Sequence, residues 1–347
     1  MAQVVGVYNV AHSPFCYTPP ERWNEIRSTR QLREDVPMED LPTAQAKSGR
    51  IQDAFKALKA NLDAKKPDVV VIFGDDQLEC FDFNNYPSVA VYVGEEFEGH
   101  LATPRSMAGD PRVTAAPPPP ADAPAAPARG YAGMPKAKVK GHSELAVSIL
   151  TGLMERKFDP AFCMDMPKPE RGIGHAFMRP FESITDHDTP VIPILLNCYY
   201  SPQITAERCY ELGKAVRDII ESHPSDLKVA VIGSGGLWHT PGAKDAWLNE
   251  DFDQGTLKYM AAGDIRAMAE HFDTYQIPNG DSSQAIGPKG RGSTGMPGFG
   301  GPQGGTRETC NWIAAAAVAD GSTATVVDYV PVYSSPVGAA FAYWDKP

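Results

Sequence analysis

Cysteine is scarce in this sequence, and it is not spaced for metal binding or for a disulfide framework. The 347 residues contain six cysteines, none of them in a CxxC pair. Small secreted domains that depend on disulfides have a much higher cysteine density. We therefore expect free, buried thiols in a reducing compartment.

Positive charge is also in short supply. Lysine and arginine number 32 against 43 aspartates and glutamates, which gives a formal net charge of −11. A nucleic-acid partner is not expected, because binding to a phosphate backbone needs a basic surface. An anionic small molecule would need arginine or lysine placed locally in its binding site.

Long apolar runs are absent. No stretch approaches the length that crosses a bilayer, and the amino terminus lacks the basic flank and apolar core of a signal peptide. We expect no membrane partner and a cytoplasmic location.

The order of predicted elements favours an α/β fold. Short apolar strands alternate with amphipathic helices, which is typical of a mostly parallel sheet with helices on both faces. We predict one large domain over residues 1–347, with its active site at the carboxyl edge of the strands. Strands are predicted at 4–10, 69–73, 88–93, 190–196, 228–232 and 323–332, and helices at 44–64, 142–153, 205–222, from after residue 253 to about 271, and at 306–319.

Two stretches interrupt this alternation. Residues 104–140 form a Pro/Ala-rich insertion, and residues 278–305 form a Gly-rich loop. Such compositions bury too little apolar surface to order themselves, so both are predicted to be exposed. They are interpreted as lids, as subunit arms or as plain disorder.

An acidic turn follows the most apolar predicted strand. The run 69–73 stops at Gly74 and is followed by Asp75, Asp76, Gln77 and Glu79. If the strand belongs to a parallel sheet, these side chains reach its carboxyl edge, where ligand crevices lie. The alternative is that the acids only cap a turn or the next helix.

Histidines and an aspartate occupy comparable positions elsewhere. His12 ends the first strand, His175 lies in a glycine-flanked loop, and His239 and Asp251 follow the strand at 228–232. Any one histidine is more often a surface or hydrogen-bonded core residue, but several at strand ends favour a common crevice. The turn at 233–236 lacks the P-loop, dinucleotide and nucleophile-elbow spacings, so we interpret it as a backbone turn that presents His239.

These motifs resemble a known family. They are Ala-His12-Ser-Pro, the Gly-Asp-Asp turn at residues 74–76, His142 at a helix start, Gly-Ile-Gly-His175, Gly-Ser-Gly-Gly-Leu-Trp-His239 and Leu-Asn-Glu-Asp251-Phe-Asp. Together they resemble the class III extradiol ring-cleavage dioxygenases. The resemblance is closest to the catalytic subunit of protocatechuate 4,5-dioxygenase and to the gallate and 3-O-methylgallate dioxygenases. It runs from about residue 4 to the C-terminus, apart from the two low-complexity stretches.

The resemblance implies a metal site. Family members hold Fe(II) with two histidines and one glutamate, and leave positions open for a catecholic substrate and O₂. His12 then matches the first ligand, and Asp251 stands where the family has glutamate. Asp76, followed by Gln77, replaces the second histidine, which makes the site more anionic and Mn(II) an alternative to Fe(II). Substitute ligands are Glu79 or Glu250 for oxygen and His142 or His239 for nitrogen.

The resemblance also implies roles around the substrate. His175 matches the catalytic base, His142 a histidine near the substrate hydroxyls, and His239 a pocket histidine. Arg171 and Arg179 flank the base loop and are candidates for binding a benzoate-type carboxylate, with an ordinary surface charge as the alternative for each. Gln77 is a further predicted substrate contact.

The expected function is therefore an Fe(II)-dependent extradiol dioxygenase acting on a gallate-, methylgallate- or protocatechuate-type aromatic acid. Its partners would be that substrate and O₂, and the resemblance implies a homodimer. Two other classes stay open. One is a non-catalytic binding protein that has lost the metal, because a ligand histidine is replaced. The other is a hydrolase with a carboxylate-rich divalent site.

Overall fold

An eight-stranded sheet forms the centre of the protein, in the order β10-β11-β1-β9-β2-β8-β3-β7. The computed structural model describes residues 1–102, 111–114, 134–240, 243–277, 296, 298–345 and 347. The strands are β1 (Gln3–Ala11), β2 (Val69–Asp75), β3 (Val89–Tyr92), β4 (Glu96–His100), β5 (Val113–Thr114), β6 (Lys136–Lys140), β7 (Ala161–Cys163), β8 (Val191–Leu196), β9 (Lys228–Gly235), β10 (Thr325–Val332) and β11 (Val337–Trp344). The helices are α1 (Trp23–Arg27), α2 (Leu41–Lys65), α3 (Ser143–Glu155), α4 (His175–Ile184), α5 (Ala206–Ser222), α6 (Glu250–Ala262), α7 (Ile265–Thr274) and α8 (Thr309–Ala317), with 3₁₀ turns at Pro14–Cys16, Pro20–Arg22 and Gly304–Glu308.

The middle of the sheet is parallel. β1 pairs with β9, β9 with β2, and β2 with β8, all in parallel, whereas β11 and β3 add antiparallel neighbours on either side. Every residue of β2 is buried, as expected for a strand covered on both faces. The carboxyl ends of four adjacent strands therefore meet at one edge of the sheet.

Helices cover both faces of this parallel core. A side chain at Gly74 would contact Ala176 and Phe177 of α4, whereas the next residue, Asp75, contacts Asn311 of α8. Successive strand residues point to opposite faces, so α4 and α8 lie on opposite sides of β2. The predicted fold class, a mostly parallel sheet flanked by helices, is confirmed. Thr205 caps α5 as predicted, accepting a hydrogen bond from the Arg208 amide at 3.1 Å.

Some predicted elements differ. The single helix predicted from after residue 253 to about 271 begins earlier, at Glu250, and is two helices, because Gly263 takes a left-handed conformation with φ of 76° and ends α6. β11 was missed, although it is paired on both sides. A three-stranded sheet, β4-β6-β5, was also missed.

The two low-complexity stretches are partly ordered at their ends. β6 lies inside the predicted 104–140 insertion, and its Ala137 and Val139 are fully buried, so the prediction of an unpacked segment was wrong there. Gly304 and Gly305, at the end of the predicted 278–305 loop, are likewise buried. Residues 103–110, 115–133, 278–295 and 297 lie outside the described residues. No helix within the described part of the chain is both long and apolar enough to span a membrane.

Close packing of α5 on α8 gives a first test of this architecture. A Cβ at Gly213 would lie 2.0 Å from the Ala314 carbonyl oxygen. This oxygen belongs to the backbone of α8, so it cannot move away without distorting the helix. Gly213→Ala is expected to lower the free energy of unfolding by about 1–3 kcal/mol, measured by urea denaturation. Gly49→Ala is the matched control, since nothing lies within 4 Å of that exposed position in α2. The control should stabilise the protein by about 0.4–1 kcal/mol. Equal effects at both positions would contradict the packing described.

Candidate active site

Three adjacent strand ends bring a histidine, a serine and an aspartate together. Ala11 pairs with Gly235, so His12 follows β1 directly beside the end of β9, and Asp75 ends β2 on the other side of β9. His12 Nδ1 lies 3.0 Å from Ser234 Oγ. His12 Nε2 lies 4.0 Å from Asp75 Oδ1. All three side chains are buried.

A 3₁₀ turn before α8 adds the central carboxylate, Glu308. The turn approaches β9 closely because Gly235 has no side chain: a Cβ there would lie 2.4 Å from the Glu308 carbonyl oxygen. Glu308 Oε2 lies 2.9 Å from His12 Nε2 and 3.2 Å from His239 Nε2. One buried carboxylate oxygen thus joins two imidazoles.

Two amide side chains complete the cluster. Gln77 Nε2 donates to Asp75 Oδ2 at 3.0 Å and to Glu308 Oε1 at 2.7 Å. Asn311 Nδ2 donates to Asp75 Oδ1 at 3.2 Å and to the Ser234 carbonyl at 2.8 Å. Gln77 Oε1, in contrast, is buried and has no hydrogen-bond partner among the residues that the structure describes. A buried amide oxygen left unpaired is costly and indicates a missing ligand or cation.

Opposing charges set the protonation of this cluster. Burial, together with the charge of Glu308, raises the pKa of Asp75 to about 7. Burial alone would raise the pKa of Glu308, but the His239 and His12 imidazoles hold that pKa well below its usual value. Burial lowers the pKa of His239, yet the Glu308 charge and hydrogen bond outweigh it and leave this pKa raised. The centre is acidic and favours a cation.

The ligand atoms of His12, Asp75 and Glu308 lie within 4.8 Å of one another. An imidazole nitrogen and two carboxylates are donors for Fe(II), Mn(II) or another divalent ion. Ser234 faces the other nitrogen of His12 and can fix the ring orientation, as second partners of metal-bound histidines commonly do.

His175 lies beside this cluster. It is the first residue of α4, and its ring is edge-on to that of His12, with 4.8 Å between ring centroids. Its Nδ1 lies 2.7 Å from Glu79 Oε1. Nε2 makes no hydrogen bond to any residue within the described ranges, so it is available to exchange a proton with a ligand.

The chain also matches a known protein family. The model for the catalytic LigB subunit of aromatic ring-opening dioxygenase matches residues 35–277, which is more than half of the chain. The chain belongs to this family. The resemblance inferred from the motifs is therefore confirmed at the level of the family.

Individual relatives of this LigB family member match over shorter segments. Gallate dioxygenase of Pseudomonas putida is 37% identical over 127 residues, covering 35% of this chain and 36% of that protein. A 2,3-dihydroxyphenylpropionate/2,3-dihydroxicinnamic acid 1,2-dioxygenase of Photorhabdus laumondii is 24% identical over 199 residues, covering 57% and 51%. The chain thus spans about half or less of the length of these relatives. A solved structure of an uncharacterized protein from Escherichia coli K12 covers 97% of this chain and 99% of that one, with 11% identity and a TM-score of 0.46.

The structure brings some of the predicted site residues of this LigB family member together and separates others. His12, Gln77 and His239 lie in the cluster, and His175 adjoins it. Asp76, predicted as a ligand, instead accepts hydrogen bonds from the Cys80 and Phe81 amides at 2.6 and 3.2 Å and shapes the turn.

The other predicted carboxylate ligand also lies outside the cluster. Asp251 is exposed in the first turn of α6, where an acid stabilises the helix N-terminus. Glu250, an alternative ligand in the prediction, accepts a hydrogen bond from Tyr333 Oη at 2.5 Å. Asp75 and Glu308 are the two carboxylates that lie beside His12, in place of the predicted Asp76 and Asp251.

The remaining predicted residues have structural contacts. His142 caps α3 by accepting a hydrogen bond from the Leu145 amide at 3.3 Å. Arg171 is exposed and donates to the Leu78 carbonyl at 2.7 Å, and Arg179 stacks on Tyr17 with 4.6 Å from Cζ to the ring centroid. These contacts do not support the predicted roles in binding substrate.

Sequence reasoning missed Glu308 and Asn311. Both lie in the first half of the helix predicted at 306–319, whose residues from 312 onward are all apolar. An acid and an amide in an otherwise buried helix are unusual, since charged residues are rarely fully buried without a partner. That contrast was the available signal.

A second acid near the site gives a pH prediction. Burial raises the pKa of Asp253 from 3.8 to about 8, while its oxygens accept hydrogen bonds from the Trp238 amide at 2.8 Å and Tyr329 Oη at 2.7 Å. Between these pKa values the folded chain binds more protons than the unfolded chain, so the free energy of unfolding falls as pH rises. Asp253→Asn can keep both hydrogen bonds without a titrating group.

The variant should lose less stability than the wild type between about pH 5 and about pH 9, by more than about 1 kcal/mol. Urea denaturation at the two pH values measures this difference. Asp251→Asn is the control, because that carboxylate is exposed. An unchanged pH slope in Asp253→Asn would show that Asp253 titrates normally.

Proposed function

We propose that this protein is a non-haem Fe(II)-dependent extradiol dioxygenase that opens the ring of a catecholic or gallate-type aromatic acid, using O₂. The observation that carries the proposal is the buried group of His12, Asp75 and Glu308 beside His175, in a chain of an aromatic ring-opening dioxygenase family. No described residue forms a hydrogen bond with His175 Nε2. The names of the gallate and dihydroxyphenylpropionate enzymes support the substrate class. The homodimer implied by the resemblance stays a prediction.

The donor set fits a divalent metal. His12 Nε2 and the carboxylates of Asp75 and Glu308 would hold it, and the unpartnered Gln77 Oε1 offers a neutral oxygen. Gln77 now bridges the two carboxylates through its Nε2 donor, a role that a bound cation would take over. A set with one imidazole and mostly oxygen ligands also suits Mn(II), which is the alternative metal.

In this proposal, the metal and the two histidines His175 and His239 would have different roles. Bound Fe(II) would supply the redox chemistry that activates O₂ next to the chelated substrate. His175 would accept the phenolic proton at Nε2 and return it later as an acid. His239 would hold Glu308 in place through its 3.2 Å contact, while its own Nδ1 donates to the Leu237 carbonyl at 2.9 Å.

One observation favours a second candidate, a binding protein of this fold that uses no metal. Both oxygens of Glu308 already have donors: Oε2 faces His12 and His239, and Oε1 faces Gln77. Such a network can be stable without a cation. Metal content separates the two candidates directly.

The metal site is tested by removing its carboxylates. Glu308→Gln and Asp75→Asn should each weaken metal binding by at least about tenfold, because a neutral amide is a poorer ligand than a carboxylate. Metal stoichiometry after gentle purification and a competition titration with a chelator measure the effect.

Asp251→Asn is the matched control, since it removes an exposed carboxylate of the same chemistry from the position first predicted to bind metal. Its metal affinity should equal that of the wild type. Loss of metal in Asp251→Asn, with retention in Glu308→Gln, would favour the ligand set predicted from the resemblance.

The reaction is tested by O₂ uptake. Protein loaded anaerobically with Fe(II) should consume one O₂ per ring opened when given gallate, 3-O-methylgallate, protocatechuate or a simple catechol, with a new absorbance from the ring-fission product. His175→Gln should lower kcat by about 10²–10⁴-fold while retaining the metal. Absence of O₂ uptake with all of these substrates, in protein that holds stoichiometric Fe(II), would reject the proposed reaction.

A further inference from the structure

We propose that Glu79 is the positioning residue of His175, holding its imidazole in the Nδ1–H tautomer so that Nε2 is left as the proton acceptor. The effect of this tautomer on catalysis rests on the proposed function. Its structural content is independent of any activity, because it concerns which nitrogen of His175 carries the proton.

Glu79 makes two hydrogen bonds to His175 through the same oxygen. Oε1 accepts from the His175 backbone amide at 3.2 Å and lies 2.7 Å from Nδ1. Glu79 is 4% exposed, so solvent competes little for this carboxylate. A distance of 2.7 Å is at the short end of the range for N–H···O hydrogen bonds in proteins.

The start of α4 is built to receive this carboxylate. Gly174, at the N-cap position, has no side chain that could accept hydrogen bonds from the free amides of the first turn. Glu79 accepts a hydrogen bond from the first of these amides, which belongs to His175. A Cβ at Gly174 would lie 2.4 Å from Glu79 Oε2, so any larger residue would displace the acid. Glu79 therefore caps the helix and orients its first side chain at once.

The protonation of His175 follows from the chemistry of its partner. With Glu79 as a carboxylate anion, which can only accept hydrogen bonds, Nδ1 carries the proton in the 2.7 Å contact. In the neutral imidazole the lone pair is then on Nε2. That nitrogen has no partner among the residues that the structure describes, and the His175 ring lies 4.8 Å from that of His12.

The loop that carries Glu79 also carries the metal-facing Gln77. Leu78, between them, has a φ of 66°, a left-handed conformation that leucine rarely adopts. The Arg171 guanidinium donates to the Leu78 carbonyl at 2.7 Å and so holds this turn from outside. The conformation is imposed by its surroundings, and it places Gln77 on the two carboxylates and Glu79 on the base.

Nitrogen-15 NMR of the histidine rings tests the inference directly. The full chain is measured at about pH 8.5, as purified and after addition of Zn(II) as a diamagnetic metal, and His175 is assigned by the signal that is lost in His175→Gln. We expect a protonated Nδ1 and an unprotonated Nε2 in the wild type. A wild-type His175 in the Nε2–H tautomer would overturn the proposal, whether or not the variants fold.

Glu79→Gln supplies the second measurement. Its amide can either accept from or donate to Nδ1, so the tautomers should mix and kcat for O₂ uptake should fall at least about tenfold with little change in KM. Glu182→Gln is the control. Glu182 is a buried acid in α4 that likewise accepts a hydrogen bond from a backbone amide, that of Ala102, at 2.7 Å.

The control should keep the tautomer and kcat of the wild type. An unchanged tautomer and kcat in Glu79→Gln would also overturn the proposal. If no form of the protein consumes O₂, the proposed reaction fails, but the NMR result still decides the role of Glu79.

Discussion

The carboxylate of Glu308 is the contact on which the centre of this protein depends. It is fully enclosed, and it meets His12, His239 and Gln77 at 2.9, 3.2 and 2.7 Å. An isolated buried carboxylate would be strongly disfavoured, so these donors are needed to keep it ionised. Because the donors come from β1, from the turn after β9 and from the loop after β2, one side chain links three separate strand ends. Removing it would leave the His12 and His239 imidazoles without the carboxylate that joins them.

Strand alternation explains why Asp75, and not its neighbour, joins this centre. Gly74 faces α4 on one side of the sheet, and Asp75 faces Asn311 of α8 on the other. Asp76 follows the end of the strand and bonds to the amides of its own turn. Since neighbouring strand residues point to opposite faces, a shift of one position changes an acid of the buried cluster into one that shapes the turn.

The sequence was sufficient for the fold class, for most strands and helices, and for the idea that polar groups meet at one sheet edge. Continuous apolar runs and helical spacing are local signals, and they located β1, β2, β8, β9, α2 and α5. It was insufficient for choosing between Asp75 and Asp76, because that choice depends on which helix covers which face. It was also insufficient for Glu308, whose position beside His12 depends on the close approach of its turn to Gly235. Both are tertiary facts that no local pattern records.

The composition of the centre bears on whether the chain is an enzyme or a binding protein without metal. Replacing a buried ionic network by apolar residues of similar volume is often neutral or stabilising, so such a network adds little stability by itself. Here two acids, two imidazoles and two amides share one buried space, and the Gln77 oxygen has no partner within the described part of the chain. A centre that served packing alone would have no use for that unpaired oxygen or for an acid whose pKa is raised to about 7 by its neighbour and by burial. A divalent cation would relieve both the repulsion between the carboxylates and the unpaired amide oxygen, which is why the metal-dependent interpretation accounts for more of the structure.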